Sequence, residues 1–273
     1  MREKQFHRSR FLFAVVLCFA LAGLAISADP ELSKEEMKKF LLTAKVTANK
    51  KTKKGITEPS RLTLSNGTVT HEAVFQAVDV RKPTMQFADG TTEINFVDSY
   101  RYNIAAYELA ELLGVDDMIP VHVERKWQGQ SGSLSWLVPV QFDEDDRKKR
   151  KVAAPDTEAW NRQMYRIRVF DELVYDNDPN LTNVLIGPDW KIWRVDFSRS
   201  FRLSKDVKSI ANLVKIDRKF LASLKTLNEA ELTLKTKGHL TKPEVQAVMA
   251  RRDKIVAFFE KAIASKGENE VLF

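Results

Sequence analysis

The chain is poor in residues that bind transition metals or form covalent intermediates. Its 273 residues include one cysteine and four histidines. The histidines beyond the first ten residues, His71, His122 and His239, have no metal-ligand spacing. A zinc site and a cysteine nucleophile are therefore set aside. No G-x-S-x-G motif of a serine nucleophile is present, and the Gly-Gln-Ser-Gly stretch at residues 129–132 departs from it.

Charge is absent from residues 11–28. Four basic residues within positions 2–10 precede this run, and Asp29 follows it directly. The layout is typical of a secretory signal peptide that ends at Ala-Ile-Ser-Ala, residues 25–28. The alternative is an uncleaved membrane anchor formed by residues 11–28, which have about the minimum length of a membrane span. Because the positive charge precedes the apolar run, we expect the body of the protein to be exported, either periplasmic or secreted.

The remaining residues, 29–273, are expected to form one domain, since no internal repeat or low-complexity linker divides them. The only cysteine, Cys18, lies in the apolar run, so the mature chain has no disulfide to form. The formal net charge is +7, and the first ten residues hold four basic residues and one acidic residue, which leaves +4 for the rest. This modest charge does not imply nucleic-acid binding.

Two charged patches lie in predicted loops. Residues 50–54 read Lys-Lys-Thr-Lys-Lys and precede Gly55, where a solvated loop is the favoured interpretation. Residues 143–146 are acidic and run straight into the basic residues 147–151. We expect this second patch to be a mobile surface loop between two lobes, with contact to anionic lipid or an acidic substrate as the alternative.

The first half of the domain is predicted to be a small lobe, residues 38–141, rich in strands. Asn66-Gly67 between two alternating runs is a strong hairpin signal. A helix is predicted over Tyr100–Leu113, capped by Gly114. The predicted strands are residues 40–47, 60–64, 69–78, 120–127 and 133–140.

The second half is predicted to be a mainly helical large lobe, residues 152–273. Apolar residues recur at helical spacing over residues 156–175, about 217–237, and 242–265. Thr241 and Glu244 form a capping box for the last of these helices. Two short apolar runs, Val184–Ile186 and residues 192–195, flank a Gly-Pro-Asp turn and predict a hairpin. The chain is therefore expected to be an α+β protein with an antiparallel-sheet lobe and a helical lobe.

The most informative residues of the chain are Asp178, Asn183 and Asp196. Asn183 follows Asp178 by 5 residues, and Asp196 follows Asp178 by 18. Phosphoryl transfer uses one carboxylate to orient the acceptor hydroxyl, and an amide oxygen and a second carboxylate to hold Mg²⁺ against the phosphates. The predicted hairpin would return Asp196 beside Asn183, so this spacing is suited to that chemistry.

Residues 170–201 resemble the catalytic loop and metal-binding segment of the atypical protein-kinase-like family. Asp178 with Asn183 matches the HRD-x4-N pattern, and Asp196-Phe197 stands where protein kinases carry DFG. The stretch is most similar to the branch that includes phosphatidylinositol 3- and 4-kinases, HipA-type kinases and secretory-pathway kinases. The resemblance implies a two-lobed kinase-like fold that binds ATP and Mg²⁺. It also implies that Asp178 is the base and that Asn183 and Asp196 are the metal ligands.

The resemblance has departures in both halves of the chain. The loop lacks the usual histidine and arginine, and Ser198 replaces the glycine after the aspartate-phenylalanine pair. In the predicted strand 69–78, Gln76 occupies the position of the phosphate-binding lysine and brings no positive charge.

Substitutes for the missing lysine are Lys82 and the lysines of residues 50–54. Glu108, on the predicted helix, is the candidate glutamate to pair with that lysine. Gly55 stands where a kinase places the turn that covers the phosphates.

Two other interpretations of the loop remain to be weighed. Asp and Asn are common in turns because their side chains bond nearby backbone, so an ordinary helix-to-strand connection is one alternative, although it leaves Asp196 unexplained. Asp176, Asp178 and Asn180 also imitate the first half of an EF-hand. That pattern fails because Leu181 replaces its glycine and Gly187 replaces its bidentate glutamate.

Two functions follow from these observations. The first is an exported atypical kinase that transfers the γ-phosphoryl group of ATP to the hydroxyl of an unknown protein, lipid or small molecule. The second is a catalytically inactive pseudokinase that binds a nucleotide or a protein, which Gln76 favours. Contact with a membrane surface is expected through the N-terminal segment.

Overall fold

The computed structural model of the protein describes residues 32–51, 59–178 and 180–273. The predictions for the segment 1–28, for Gly55 and for the lysines at positions 52–54 lie outside the described residues. Within the described part of the chain, no helix is long and apolar enough to span a bilayer. Residues Leu32–Phe273 form one compact unit.

The fold has a strand-rich first half and a helix-rich second half, which confirms the α+β class. The strands are β1 (Lys45–Lys51), β2 (Ser60–Ser65), β3 (Thr70–Gln76), β4 (Asp79–Gln86), β5 (Thr92–Ser99), β6 (His122–Trp127), β7 (Gln130–Trp136), β8 (Phe142–Asp143), β9 (Val184–Ile186) and β10 (Ile192–Arg194). The helices are α1 (Lys34–Thr43), α2 (Tyr100–Leu113), α3 (Glu144–Lys149), α4 (Thr157–Val174), α5 (Arg218–Thr226), α6 (Glu229–Lys235), α7 (Lys242–Lys266) and α8 (Glu268–Val271).

The small lobe is built on an antiparallel sheet with the strand order β1-β2-β3-β7-β6. Alternation along β2 and β3 sends Leu62, Leu64, Ala73 and Phe75 into the core. The predicted hairpin between these strands is confirmed, because the Asn66 side chain accepts the N–H groups of the two residues after Gly67, which has φ +92°.

Helix α2 packs its buried face against this sheet and has the predicted bounds. The side chain of Ser99 accepts the N–H of Arg101 at the N-terminus of the helix. Gly114 ends the helix in the left-handed region, at φ +67°. Both ends are therefore set by local chemistry that can be seen in the sequence.

Two predictions for the small lobe are wrong in part, and one hairpin was missed. Residues 40–47 are not one strand, because a capping box between Ser33 and Glu36 starts α1 and the strand begins only at Lys45. Strand β7 begins before Gly132 rather than after it. The β4–β5 hairpin, a separate two-stranded sheet inserted between β3 and α2, was not predicted at all.

The large lobe combines the small sheet β10-β9-β8 with helices α4 to α8. The capping box of α7 is present, since the Glu244 carboxylate accepts both the N–H and the hydroxyl of Thr241. The single predicted helix 217–237 is two helices, because Asn228 caps a second one. The expected loop at residues 143–151 is largely the helix α3, whose first turn is acidic and last turn basic, as the helix dipole favours.

Candidate active site

Helix α4 ends at Val174, and the aspartate loop, which carries Asp176 and Asp178, follows it. Tyr175 caps the helix in the left-handed region at φ +52°, and the loop runs from Asp176 to a short 3₁₀ turn at Leu181–Asn183. Strands β9 and β10 then pair antiparallel, with Val184 opposite Arg194. The N–H of Val195 donates to the carbonyl of Asn183 over 3.0 Å, so Asp196 emerges beside Asn183.

Asp178 lies half-buried at the centre of the loop. Its backbone N–H donates to Asp176 Oδ1 at 3.2 Å. Burial raises the pKa of the Asp178 carboxyl, and the carboxylates of Asp176 and Asp196 raise it further, whereas the guanidinium of Arg199 opposes the shift. A raised pKa makes this carboxylate a better proton acceptor than an exposed aspartate.

Asp196 is held in an unusual backbone conformation. Its φ of +60° is in the left-handed region, which costs a non-glycine residue on the order of 1–3 kcal/mol and persists only where neighbouring contacts offset that cost. The contacts are present on both sides. Val195 donates to Asn183 before it, and the N–H of Phe197 donates to Asn103 Oδ1 at 2.6 Å after it. Backbone strain of this kind concentrates at functional sites.

A buried arginine holds the loop and the hairpin together. Arg194 is 1% exposed, and its Nε lies 3.1 Å from Asp171 Oδ1 at the end of α4. Its Nη2 donates to Asp176, while its Nη1 donates to the carbonyls of Val195 and Asn183. One guanidinium group therefore fixes the position of the loop and of the backbone that carries both expected metal ligands.

Gln76 belongs to a hydrogen-bond network that reaches the segment after Asp196. Gln76 Oε1 accepts from Asn103 Nδ2 at 2.6 Å, and Asn103 in turn accepts the N–H of Phe197. The chain of amides links β3, α2 and the segment after Asp196. A side chain at Gly132 would place its Cβ 2.5 Å from the Gln76 carbonyl, so β7 can approach here only with glycine.

The sequence analysis missed Asn103 as a member of the site. The sequence does contain a sign of this role, because Asn103 is an amide among the apolar residues of α2. In the structure its side chain is buried, at 2% exposure. A buried amide must find hydrogen-bond partners. Asn103, rather than Glu108, is the residue of α2 that meets position 76.

Glu108 pairs with a histidine and not with the side chain at position 76. Its Oε2 lies 2.9 Å from His239 Nδ1, and the other ring nitrogen of His239 lies 3.5 Å from Glu124 Oε2. The hydroxyl of Tyr100 donates to the second oxygen of Glu124. Arg101 donates to the carbonyl of the residue before His239. This cluster ties α2 to the loop before α7.

The stability that His239 contributes is expected to depend on pH. Burial opposes protonation of His239, but its hydrogen bonds to Glu108 and Glu124 outweigh that cost and raise its pKa. A raised folded-state pKa means that the stability is complete below the unfolded value of about 6.5 and is lost as pH rises through the folded value. Between about pH 6 and pH 8, the melting temperature of the wild type should therefore fall more than that of His239→Gln. Parallel melting curves across this range, measured by scanning fluorimetry, would contradict the expectation.

Lys82 lies on β4, in the two-stranded sheet, with its Nζ 3.8 Å from Met85 Sδ. It lines a cleft of about 660 Å³ between the β4–β5 hairpin and the large lobe, to which Tyr102, Asn177 and Arg202 also contribute. Gln76, by contrast, lies on the five-stranded sheet. Lys82 and Gln76 are thus not brought together by a hydrogen bond or a shared strand pairing.

Asp98 is a further carboxylate that the sequence analysis missed. It lies on β5, and its Oδ1 is buried without a hydrogen-bond partner among the described residues. Burial raises the pKa of Asp98, a hydrogen bond from Ser198 opposes the shift, and the carboxylate of Asp196 raises it again. Asp98 therefore belongs to the electrostatic surroundings of the expected metal ligand.

The donor set of the site suits a hard divalent cation. The Asn183 amide and the Asp196 carboxylate are oxygen ligands of the type that Mg²⁺ prefers. Over residues 32–51, 59–178 and 180–273, no three His, Cys, Asp or Glu side chains are placed to hold a metal by themselves. Mg²⁺ commonly takes one or two protein ligands and completes its shell with phosphate oxygens and waters, so the residues present fit a metal that arrives with a nucleotide.

The two-lobed α+β fold, with an aspartate loop and a hairpin that returns a second aspartate, defines a kinase-like protein. The chain has an atypical protein-kinase-like fold. Among solved structures, it is similar to the Golgi casein kinase, with a TM-score of 0.60 and 13% identity over 88% of this chain and 77% of that chain. The same kinase with Mn/ADP bound gives a TM-score of 0.60 at 12% identity, over 88% of this chain and 78% of that one.

A third solved structure, the Helicobacter pylori proinflammatory kinase CtkA, has a TM-score of 0.49 and 8% identity, over 82% of this chain and 98% of that chain. No protein-family model matches the sequence. No curated protein matches it either. At these identities the likeness is one of fold.

Proposed function

We propose that this kinase-like protein is an exported phosphotransferase that transfers the γ-phosphoryl group of ATP to a hydroxyl acceptor with Mg²⁺. The observation that supports the proposal is the backbone hydrogen bond from the N–H of Val195 to the carbonyl of Asn183, which brings the residue before Asp196 next to Asn183. Asp178 stands close enough to Asp196 for the Asp196 carboxylate to raise the pKa of Asp178. These three residues supply the proton acceptor and the oxygen ligands for the cation that phosphoryl transfer uses.

Each residue has a distinct role in this proposal. Asp178 orients the acceptor hydroxyl and takes its proton, helped by the raised pKa of its carboxyl. Asn183 and Asp196 hold the cation, which when bound neutralises charge on the transferred phosphoryl group. Arg194 keeps the loop and the hairpin in register, so the geometry is in place before substrate binds.

Nucleotide binding is supported by the likeness of fold to a kinase whose structure holds Mn/ADP. Export rests on the signal-like segment of residues 1–28, and the Golgi kinase is a neighbour in fold only. The proposed acceptor is a protein, a lipid or a small molecule. Which of these binds depends on loops whose sequences follow no fixed residue spacing. Nucleic acid is not among the proposed partners.

A pseudokinase that binds a nucleotide or a protein is the second candidate function. Gln76 favours it, because an amide bonded to Asn103 stands where a phosphate-binding lysine is expected. A glutamine can donate a hydrogen bond to a phosphate but cannot balance its charge. In this case the site would bind without transferring a phosphoryl group.

The first test is ATP binding by the full chain, measured as a thermal shift with and without Mg²⁺. Wild type, Asp196→Asn and a control, Asp206→Asn, are compared. Asp206 is an exposed aspartate that pairs with Lys254 outside the site. We expect ATP with Mg²⁺ to stabilise the wild type and the control, and this Mg²⁺-dependent shift to be lost in Asp196→Asn, because a ligand stabilises only the state that binds it.

The outcomes separate the two functions. A Mg²⁺-dependent shift that survives in Asp196→Asn would overturn the metal assignment. A shift in the wild type that does not depend on Mg²⁺ would favour the pseudokinase. The absence of any shift in the wild type would remove nucleotide binding from the proposal.

A further inference from the structure

The β4–β5 hairpin joins the segment after Asp196 to the small lobe. The N–H of Ser99, at the end of β5, donates to the carbonyl of Ser198 at 2.8 Å. Ser99 also begins α2, and its hydroxyl donates to Asp79 at the start of β4. The base of the hairpin, the first turn of α2 and the segment two residues beyond Asp196 therefore meet at one point.

A single carboxylate on the hairpin binds two arginines of this segment. Glu93, on β5, accepts from Nη2 of Arg199, and its other oxygen lies 2.7 Å from Nη2 of Arg202. The side chain of Glu93 is 14% exposed, and that of Arg202 is 13% exposed. A partly buried ion pair is screened less by water and salt than an exposed one.

The hairpin also provides the surface on which the two arginines lie. The guanidinium group of Arg199 sits over the rings of Phe87 and Phe96, at 5.3 and 5.2 Å from their centroids. Arg202 donates to the carbonyl of Ile94 at 3.2 Å. Arg199 Nε, Arg202 Nη1 and Glu93 Oε1 are buried with no hydrogen-bond partner in the described part of the chain, so the contact between Glu93 Oε1 and Arg202 is an ion pair rather than a hydrogen bond. Glu93 is thus a carboxylate in direct contact with both partly buried cations.

The segment held in this way carries the strained aspartate. Asp196 has φ +60°, and the contacts on its C-terminal side run through Phe197 to Asn103 and through Ser198 to the hairpin. Arg199 is also close enough to Asp178 to oppose the rise in its pKa. A segment that came loose from the hairpin would therefore release Asp196 and move a positive charge away from Asp178.

We propose that the β4–β5 hairpin is a built-in clamp and that Glu93 is a positioning residue of the active site. Through Arg199 and Arg202, Glu93 holds the segment after Asp196 in the conformation that presents the Asp196 carboxylate to the metal. This inference rests on the proposed function, since it describes how the metal ligand of that site is kept in place.

The test compares wild type, Glu93→Gln, Glu93→Asp and a control, Glu72→Gln, all as the full chain. Glu93→Gln keeps the size of the side chain and removes its charge. Glu93→Asp keeps the charge and shortens the side chain, so it retains contact with one arginine. Glu72→Gln removes the same charge from the ion pair with Arg61 between β2 and β3.

Two measurements are made on each protein. Amide hydrogen exchange, read by mass spectrometry, reports on the peptide that covers residues 196–203. Titration with ATP reports the affinity in the presence and in the absence of Mg²⁺. We expect Glu93→Gln to speed exchange in that peptide and to weaken Mg²⁺-dependent ATP binding, each by about tenfold, an effect between that of losing an exposed ion pair and that of breaking a fully buried one.

The expected pattern is specific to positioning. Metal-free ATP binding and exchange in α7 should stay within about twofold of the wild type, Glu93→Asp should recover part of the affinity, and Glu72→Gln should change neither quantity. Unchanged exchange over residues 196–203 in Glu93→Gln would overturn the clamp. Faster exchange with unchanged Mg²⁺-dependent affinity would overturn the positioning role. If the wild type binds no ATP, the proposed function and the positioning role fail together, while the exchange measurement still supports or overturns the clamp.

Discussion

Under the proposed phosphotransferase function, replacing Asp178 with asparagine is expected to lower the rate of phosphoryl transfer by about 10²–10⁴-fold while leaving ATP affinity unchanged. Asparagine has nearly the same shape and cannot accept a proton. The loss follows from the half-buried carboxylate, whose pKa is raised by burial and by Asp176 and Asp196. Single-turnover consumption of ATP, with water or an added hydroxyl compound as acceptor, measures the rate.

The matched control for this change is again Asp206→Asn, which makes the same substitution in an exposed ion pair. Its rate should lie within about twofold of the wild type, since an exposed pair contributes little. A rate for Asp178→Asn within threefold of the control would remove Asp178 from the catalytic role. A loss of ATP affinity equal to the loss of rate would assign Asp178 to binding instead.

Replacing Arg194 with methionine is expected to destabilise the protein by about 3–5 kcal/mol, because it leaves the buried carboxylate of Asp176 without its cation. The Asp176 side chain is 1% exposed and depends on Arg194 for charge compensation. Methionine fills most of the volume of the arginine stem, so the loss of charge dominates over the cavity. Urea denaturation followed by tryptophan fluorescence gives the free energy of unfolding.

Two further variants keep this prediction testable if Arg194→Met does not fold. Arg194→Met combined with Asp176→Asn should be more stable than Arg194→Met alone, because the second change removes the unpaired buried charge. Arg162→Met breaks an exposed pair with Glu158 on α4 and should cost less than about 1 kcal/mol. Equal costs for Arg194→Met and Arg162→Met would show that the buried ion pairs contribute no more than an exposed one.

Local patterns predicted those elements whose ends are set by their own residues. The bounds of α2 follow from Ser99 and Gly114, and the β2–β3 hairpin follows from Asn66-Gly67. The start of α7 follows from the capping box of Thr241 and Glu244. In each case the atoms that bond lie within four residues of one another, so the sequence shows them together.

The β4–β5 hairpin escaped prediction because neither strand has an alternating apolar face. Most of its side chains are exposed or half-buried, and Pro83 interrupts the pattern of β4. A two-stranded sheet outside the core does not need a continuous apolar face. The hairpin is held by its own pairing and by Glu93, whose partners lie more than one hundred positions further along the chain.

The partner of Glu108 is a second feature that local sequence patterns did not predict. The place of Glu108 on the predicted helix made it the candidate partner for the lysine that would replace Gln76. The structure instead pairs Glu108 with His239, which is 131 positions away, and gives Gln76 the amide of Asn103 as a partner. Which face of a helix meets which strand depends on packing, and packing is not visible in the spacing of residues along one helix.

The sequence by itself determined the class of fold, the ends of the capped helices and the spacing of Asp178, Asn183 and Asp196, because these depend on neighbours in the chain. Only the tertiary structure decided which contacts hold these three residues in place. The amide link of Gln76 and Asn103, the buried guanidinium of Arg194 and the Glu93 clamp join segments 18 to 109 positions apart. Such contacts arise from the packing of whole elements, and no short-range pattern encodes them.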